Sequence, residues 1–242
     1  MRMRHVELNL ARLHQLGMVT QEGGRTAVAE DFRIIKRPLL RNARGDHETP
    51  AVHHGNLIVV TSAMPGEGKT YCAVNLAMSI AMEMDITVLL VDADVARPSV
   101  LKVLGLQPEP GLMDILLGDK TGLADVILRT NVPTLSLLPA GRANKHATEL
   151  LASRNMRQLL TEIAERYADR IVIFDSPPLL MTTEAGVLAG QMGQVLLVVE
   201  SERTSQHAVT EALRHLERCP HVHLIYNKST AFPGTEYHGY YD

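Results

Sequence analysis

The sequence predicts an α/β domain, a doubly wound and mostly parallel sheet, behind a helical N-terminal extension. Three observations carry this. From Asn56 onward, short apolar runs alternate with segments of helical periodicity, the order of a parallel sheet with crossover helices. The runs at 57–60, 87–91, 171–174 and 195–199 are continuous rather than alternating, as strands buried on both faces are. Two of them end in aspartate, Val91-Asp92 and Phe174-Asp175, and the first runs into a glycine-rich turn. Polar groups therefore gather at the carboxyl ends of strands, where open α/β sheets bind ligands.

The elements follow in order. Val6, Leu10, Leu13 and Leu16 recur at helical spacing and predict an amphipathic helix over about 1–17. Residues 18–28, with Gly23 and Gly24, read as a linker. A second helix is expected over 29–41 and a loop over 42–55. This divides the chain into an extension at 1–55, a domain at 56–230 and a tail at 231–242. Within the domain, Ala73, Leu76, Ala77, Ile80, Ala81 and Met84 mark one face of a helix over 70–84. A weaker helical region spans 99–128, before a strand at 134–138. Ser153 has the position of an N-cap for a helix carrying Met156, Leu159, Leu160, Ile163, Ala164 and Tyr167. Val209, Ala212, Leu213 and Leu216 share a face of a further helix, and a strand at 222–226 closes the series.

Composition narrows the function classes. Apolar residues make up 45% of the 242, enough for a full core, which excludes a disordered chain. The 24 Lys and Arg against 27 Asp and Glu leave a net charge of −3, so nucleic acid is not an expected partner. Two cysteines, Cys72 and Cys219, make no disulfide framework. No apolar run reaches the roughly 18–20 residues of a membrane span. The basic start, Met1-Arg2-Met3-Arg4-His5, is followed by no signal-type apolar segment. The expectation is a cytoplasmic protein. The eleven histidines include no pair with cysteine or histidine at zinc spacing, so no metal other than Mg²⁺ is expected.

The chemistry is concentrated in Ala63-Met64-Pro65-Gly66-Glu67-Gly68-Lys69-Thr70, between a strand and a helix. This is the P-loop pattern with its first glycine replaced by alanine. Small residues let successive N–H groups wrap phosphate oxygens, and the following helix adds its dipole. Pro65, Gly66, Glu67, Gly68, Lys69, Thr70 and Tyr71 are thus the expected ATP contacts, with Lys69 on the β- and γ-phosphates. Thr70 and Asp175 are expected to hold Mg²⁺. Asp92 and Asp94 follow another strand and are expected to hold Mg²⁺ or accept a hydroxyl proton. Asn227-Lys228, after the last strand, is a candidate contact to the nucleotide base or else a strand-end turn. Cys72 reads as core filler and Glu184 as a surface charge.

With these residues in view, the chain resembles the bacterial tyrosine kinases of polysaccharide export, and among them most the exosortase-associated tyrosine autokinases. The resemblance rests on 63–70, on 88–94 with Arg97-Pro98, and on 171–178. It extends to Gly111-Leu112-Met113-Asp114, Leu138-Pro139-Ala140-Gly141, Glu149-Leu150-Leu151 and the tail. It implies a P-loop NTPase fold and an ATP- and Mg²⁺-dependent protein-tyrosine autokinase with Lys69, Asp92, Asp94 and Asp175 as catalytic residues. It also implies a homo-oligomer, a ring among its forms, and a membrane-anchored partner of the chain-length-regulator type at the inner membrane face. The family's D-x-D-x-R motif maps its aspartates to Asp92 and Asp94, with Ala96 at the arginine position and Arg97 next. Glu30, Arg33 and Lys36 resemble the family's E-x-x-R-x-x-R assembly motif with lysine last. Their spacing places them near one helix face. Three of six tyrosines, Tyr237, Tyr240 and Tyr241, fall in the last six residues and match the family's autophosphorylated cluster. The alternative is a partition-like P-loop ATPase acting as a nucleotide-switched recruitment module. Met64, where that class carries an additional lysine, and the tyrosine tail weigh against it.

Overall fold

The computed structural model describes residues 4–118, 122–166 and 169–229. In chain order the elements are β1 (Arg4–Val6), α1 (Leu10–Gln15), α2 (Ala27–Arg44), β2 (Leu57–Ser62), α3 (Lys69–Ala81) and β3 (Thr87–Asp92). Then come α4 (Val100–Leu104), α5 (Leu112–Leu116), α6 (Leu123–Val126), β4 (Leu128–Thr130), β5 (Leu135–Leu138), α7 (Ala147–Leu151) and α8 (Arg154–Arg166). The chain continues through β6 (Arg170–Asp175), α9 (Thr183–Ala189), β7 (Gln194–Glu200), α10 (Gln206–Arg214) and β8 (Val222–Asn227). The eight strands of the described residues form one sheet, in the order β1-β4-β5-β3-β6-β2-β7-β8. Every pairing is parallel except β4 with β5.

The sheet has an apolar layer on each face. Ile58, Val60, Leu90, Ile173 and Val198 point to one, with Phe32 and Leu39 of α2 and Leu76 and Ile80 of α3. Leu57, Val59, Leu89, Val91, Phe174 and Leu197 point to the other, with Leu160 and Ile163 of α8 and Leu188 of α9. Successive residues of one strand thus enter opposite layers, which explains the unbroken apolar runs.

The N-terminal segment departs from the expectation. Residues 4–6 are a strand, not a helix: Arg4, His5 and Val6 pair in parallel with Leu128, Arg129 and Thr130. The helix begins only at Leu10, capped by the Asn9 side chain. Val6 and Leu13 share a helical spacing but reach the same core from a strand and a helix in turn. The segment read as a linker is docked: Val19 is buried and its N–H donates to Asn75 Oδ1 at 2.7 Å. The extension therefore shares one core with the sheet. The second helix is longer than expected, because Thr26 Oγ1 caps it at Ala29 N and it runs on to Gly45, in the left-handed region at φ 70°. Helix α3 stops at Ala81, and Met84, expected on its buried face, is 93% exposed. The described residues of the region 99–128 form three short helices, and β4 and α7 are additions to the expected elements. Ser153 does cap α8, accepting from Met156 N at 3.2 Å.

Two of the glycine-containing motifs meet. Leu112 N and Met113 N donate to the carbonyls of Pro139 and Ala140 at 2.8 and 2.9 Å. A Cβ on Gly111 would stand 1.9 Å from Pro139 O, so only glycine permits this approach.

Candidate nucleotide site

Strand β2 ends beside β6 and β7, and the loop that follows it leads into the N-terminus of α3. Gly66 and Gly68 hold φ of 89° and 94°, a region that side-chain-bearing residues enter at a cost. Gly68 is the N-cap of α3 and supplies no side-chain cap, which leaves the leading N–H groups open to an anion. A cavity of about 370 Å³ opens here, lined by Pro65, Gly66, Lys69, Asp94, Ala96, Arg97, Pro177, Pro178, Met181 and Thr182.

The two aspartate-ended strands bring their carboxylates to this point. Asp92 and Asp175 are register partners across β3 and β6. Thr70 Oγ1 donates to Asp175 Oδ2 at 2.7 Å and lies 2.8 Å from Ser99 Oγ. With the Thr70 proton spent on Asp175, Ser99 is the donor in that second contact. Lys69 Nζ donates to Asp94 Oδ2 at 2.8 Å and stands 3.9 Å from Asp175 Oδ1. Asp92 Oδ2 accepts from Ser99 N and Val100 N, each at 2.9 Å. Burial, reinforced by the Asp175 charge, pushes the Asp92 carboxyl up to about 7. Burial pushes Asp175 up to about 6 against the opposing pull of Lys69 and Thr70.

The residues fit a small hard cation. Asp92 Oδ1 and Asp175 Oδ1 are both buried without a hydrogen-bond partner. Two such oxygens beside the Thr70 hydroxyl suit Mg²⁺, and a cation would relieve the burial that raises both carboxyls. Among the described residues, no three of His, Cys, Asp and Glu are grouped to hold a metal alone. The remaining ligands would be phosphate oxygens and water.

Several expected contacts have other work. The Glu67 side chain is 3% exposed and turned inward, accepting from Met64 N at 2.8 Å and pairing with the Thr204 hydroxyl, so it braces the loop. Tyr71 donates its hydroxyl to Gly17 O at 2.7 Å, tying the N-terminal segment to α3. For both residues only the backbone remains available to an anion. Asn227 Nδ2 donates to Glu67 O at 2.8 Å, which ties one N–H of its amide to the loop. Glu184, read as a surface charge, accepts from the Thr148 hydroxyl and joins α9 to α7. Cys72 is buried, and burial raises its thiol to about 12, in keeping with core filler.

The assembly trio is split. Glu30 and Arg33 form an exposed ion pair at 3.2 Å. Lys36 is 6% exposed, donates to Ser79 O at 2.6 Å and pairs with Glu83 at 2.6 Å. It faces α3 and does not share the exposed face, because a seventh helical position has rotated about 600° from the first and the stripe of Phe32 and Leu39 carries it inward. Tyr237, Tyr240 and Tyr241 lie outside the described residues. Arg97 is exposed at the cleft, and its N–H donates to Asp94 Oδ1 at 3.1 Å.

Sequence reasoning missed Ser99 and Thr204, which touch the loop or its carboxylates, and Glu200, which reaches the loop through Lys228. Ser99 belongs to no motif with a fixed offset from Lys69. Lys228, singled out with Asn227 by its place directly after a parallel strand, contacts the loop at Gly66 O.

Among the described residues no helix is long and apolar enough to cross a membrane. The model of the AAA domain family matches residues 55–228. The EpsB protein of Ralstonia nicotianae is 35% identical over 162 residues, which cover 67% of this chain and 21% of that protein. The tyrosine-protein kinase YwqD of Bacillus subtilis is 34% identical over 186 residues, covering 76% of each chain. The chain thus spans about a fifth of the first relative and three quarters of the second. The solved kinase domain of the Escherichia coli tyrosine kinase ETK superposes with a TM-score of 0.71 at 28% identity, covering 88% of this chain and 82% of that one. A P-loop opposite paired strand-end aspartates, in a parallel sheet shared with these relatives, shows that the chain belongs to the AAA-domain family and, within it, to the bacterial tyrosine kinases.

Proposed function

We propose that the chain is an ATP-dependent protein-tyrosine autokinase that phosphorylates Tyr237, Tyr240 and Tyr241 between subunits of a homo-oligomer. The observation that supports it best is Lys69 held between Asp94 and Asp175, beside two buried carboxylate oxygens that lack hydrogen-bond partners. Transfer breaks the bond from the γ-phosphorus to the bridging oxygen of ADP and forms one to the tyrosine oxygen. The phenolic proton passes to a carboxylate. Asp94 lines the cleft, so it is the group within reach of an acceptor hydroxyl. Asp92 and Asp175 lie behind it, 1% and 0% exposed, suited to the cation. Bound Mg²⁺ would supply charge compensation at the phosphates. Lys69 exchanges Asp94 for the phosphates as nucleotide enters, which frees the Asp94 carboxylate at the moment an acceptor proton needs a destination. Catalysis of this kind is placement and electrostatics.

The resemblance extends the reading to exopolysaccharide synthesis and export, of the exosortase-associated type, with a membrane-anchored chain-length-regulator-type activator that recruits the kinase. The subunit interface would use Glu30 and Arg33 but not Lys36. The test is phosphotyrosine detection on the purified chain with ATP and Mg²⁺. Phosphotyrosine on the tail is the expected result, and ATP hydrolysis without it would favour the recruitment ATPase instead.

A further inference from the structure

The loop is clasped from outside by the ends of two strands. Lys228, the residue after β8, donates through Nζ to Gly66 O at 2.8 Å. The same Nζ pairs with Glu200 at the end of β7, at 3.1 Å. Asn227 beside it donates to Glu67 O at 2.8 Å. The Glu200 carboxyl is held below its ordinary range, first by the hydrogen bond from Lys228. Lys228 adopts φ 57°, the left-handed region, which a lysine enters only when its surroundings hold it there.

A trans peptide is planar, and its C=O and N–H point in opposite directions. Gly66 O and Glu67 N belong to one peptide, and Glu67 O and Gly68 N to the next. Holding the Gly66 carbonyl outward on Lys228 therefore turns the Glu67 N–H inward, and Asn227 does the same for the Gly68 N–H. The Gly66 peptide needs such a hold. Gly66 has no side chain, and a Cβ there would meet nothing within 4 Å, so packing does not lock it. Unheld, this peptide can rotate and present its carbonyl to the phosphates, which repels them.

We propose that Lys228, fixed by Glu200, is a positioning residue that sets the Glu67 N–H toward the phosphate site. The proposal rests on the nucleotide reading of the cleft. It goes beyond that reading in giving a residue outside the loop a share in phosphate affinity without contact to the phosphate.

The experiment compares wild type, Lys228→Met, Lys228→Arg and Glu200→Gln by titration with two probes, Mg²⁺-ADP and inorganic pyrophosphate, alongside thermal unfolding. Lys228→Met should weaken both probes by about tenfold or more, since a charge-assisted hydrogen bond is lost. Lys228→Arg should recover most of the affinity, and Glu200→Gln should fall between. Melting temperatures should stay within about 2 °C, because Lys228 is half-exposed at a sheet edge. Weakened ADP with unchanged pyrophosphate would overturn the proposal, since Lys228 would then serve the base. Unchanged affinity for both probes in Lys228→Met would overturn it as well. Should Lys228→Met fail to fold, wild-type pyrophosphate affinity in Glu200→Gln would overturn it and a loss there would support it. Wild type that binds neither probe would instead sink the nucleotide reading itself, so the two failures are told apart.

Discussion

Replacing Lys36 with methionine tests whether this residue is an anchor inside the subunit or part of an exposed contact surface. Methionine keeps most of the apolar stem and removes the charged donor. Ser79 is among the last residues of α3, whose final carbonyls have no partner within the helix. Lys36 fills one of them at 2.6 Å and places positive charge at the negative end of the helix dipole. A hydrogen bond from a charged group contributes about 1.5–3 kcal/mol. The Glu83 partner is 42% exposed, so that pair adds at most about 1 kcal/mol after solvent screening. The expected loss is about 2 kcal/mol. For a chain of this size that lowers the melting temperature by about 4–8 °C. Removing the exposed pair, Glu30→Ala with Arg33→Ala, should cost about 0.5 kcal/mol or less. Thermal unfolding followed by circular dichroism, with light scattering to record particle mass, separates the two. A Lys36→Met variant that melts within 1 °C of wild type, or that lowers particle mass while leaving the melting temperature alone, would refute an anchoring role for Lys36.

Three further outcomes are expected. Lys69→Ala should abolish phosphotyrosine formation while the fold survives; wild-type autophosphorylation by the folded variant on an immunoblot would remove Lys69 from the mechanism. Changing Tyr237, Tyr240 and Tyr241 to Phe should remove most phosphotyrosine and leave nucleotide binding intact, and mass spectrometry that placed the phosphate chiefly on Tyr71 or Tyr226 would contradict this. Burial raises the folded-state carboxyls of Asp92 and Asp175 to about 7 and about 6, so between roughly pH 4 and 7 the folded chain binds more protons than the unfolded one and these groups weaken the ligand-free fold as pH rises. Asp92→Asn should thus gain on wild type in melting temperature from pH 5 to pH 8 while losing Mg²⁺ affinity, and a gain that shrinks with pH would reverse the sign of the argument.

The central sheet was legible because burial on both faces writes an unbroken apolar run, a signal no solvent-facing strand shares. Lys69, Thr70, Asp92, Asp94 and Asp175 were legible because strand ends and a glycine-rich turn tie residue type to position. What escaped depends on which way a side chain turns. Glu67 sits inside the loop motif, yet its carboxylate folds back to Met64 N, a direction set by Thr204 across 137 residues of sequence. Lys36 matches a motif position, yet the helix carries it toward α3. Strand β1 has three residues, too few for any periodicity to separate strand from helix.

That strand has a consequence for how the chain comes into being. Among the described residues β1 pairs only with β4, and Leu8 N donates to Asn131 Oδ1 across 123 positions. The arm has no edge to join until β4 has formed. Until then Leu8 and Leu13, both destined for the core, remain uncovered. Contacts so distant in sequence form late and slow the approach to the native state. Through the Tyr71 hydroxyl on Gly17 O, the same arm is fastened to the helix that carries Lys69, so the far edge of the sheet and the phosphate loop share one tether.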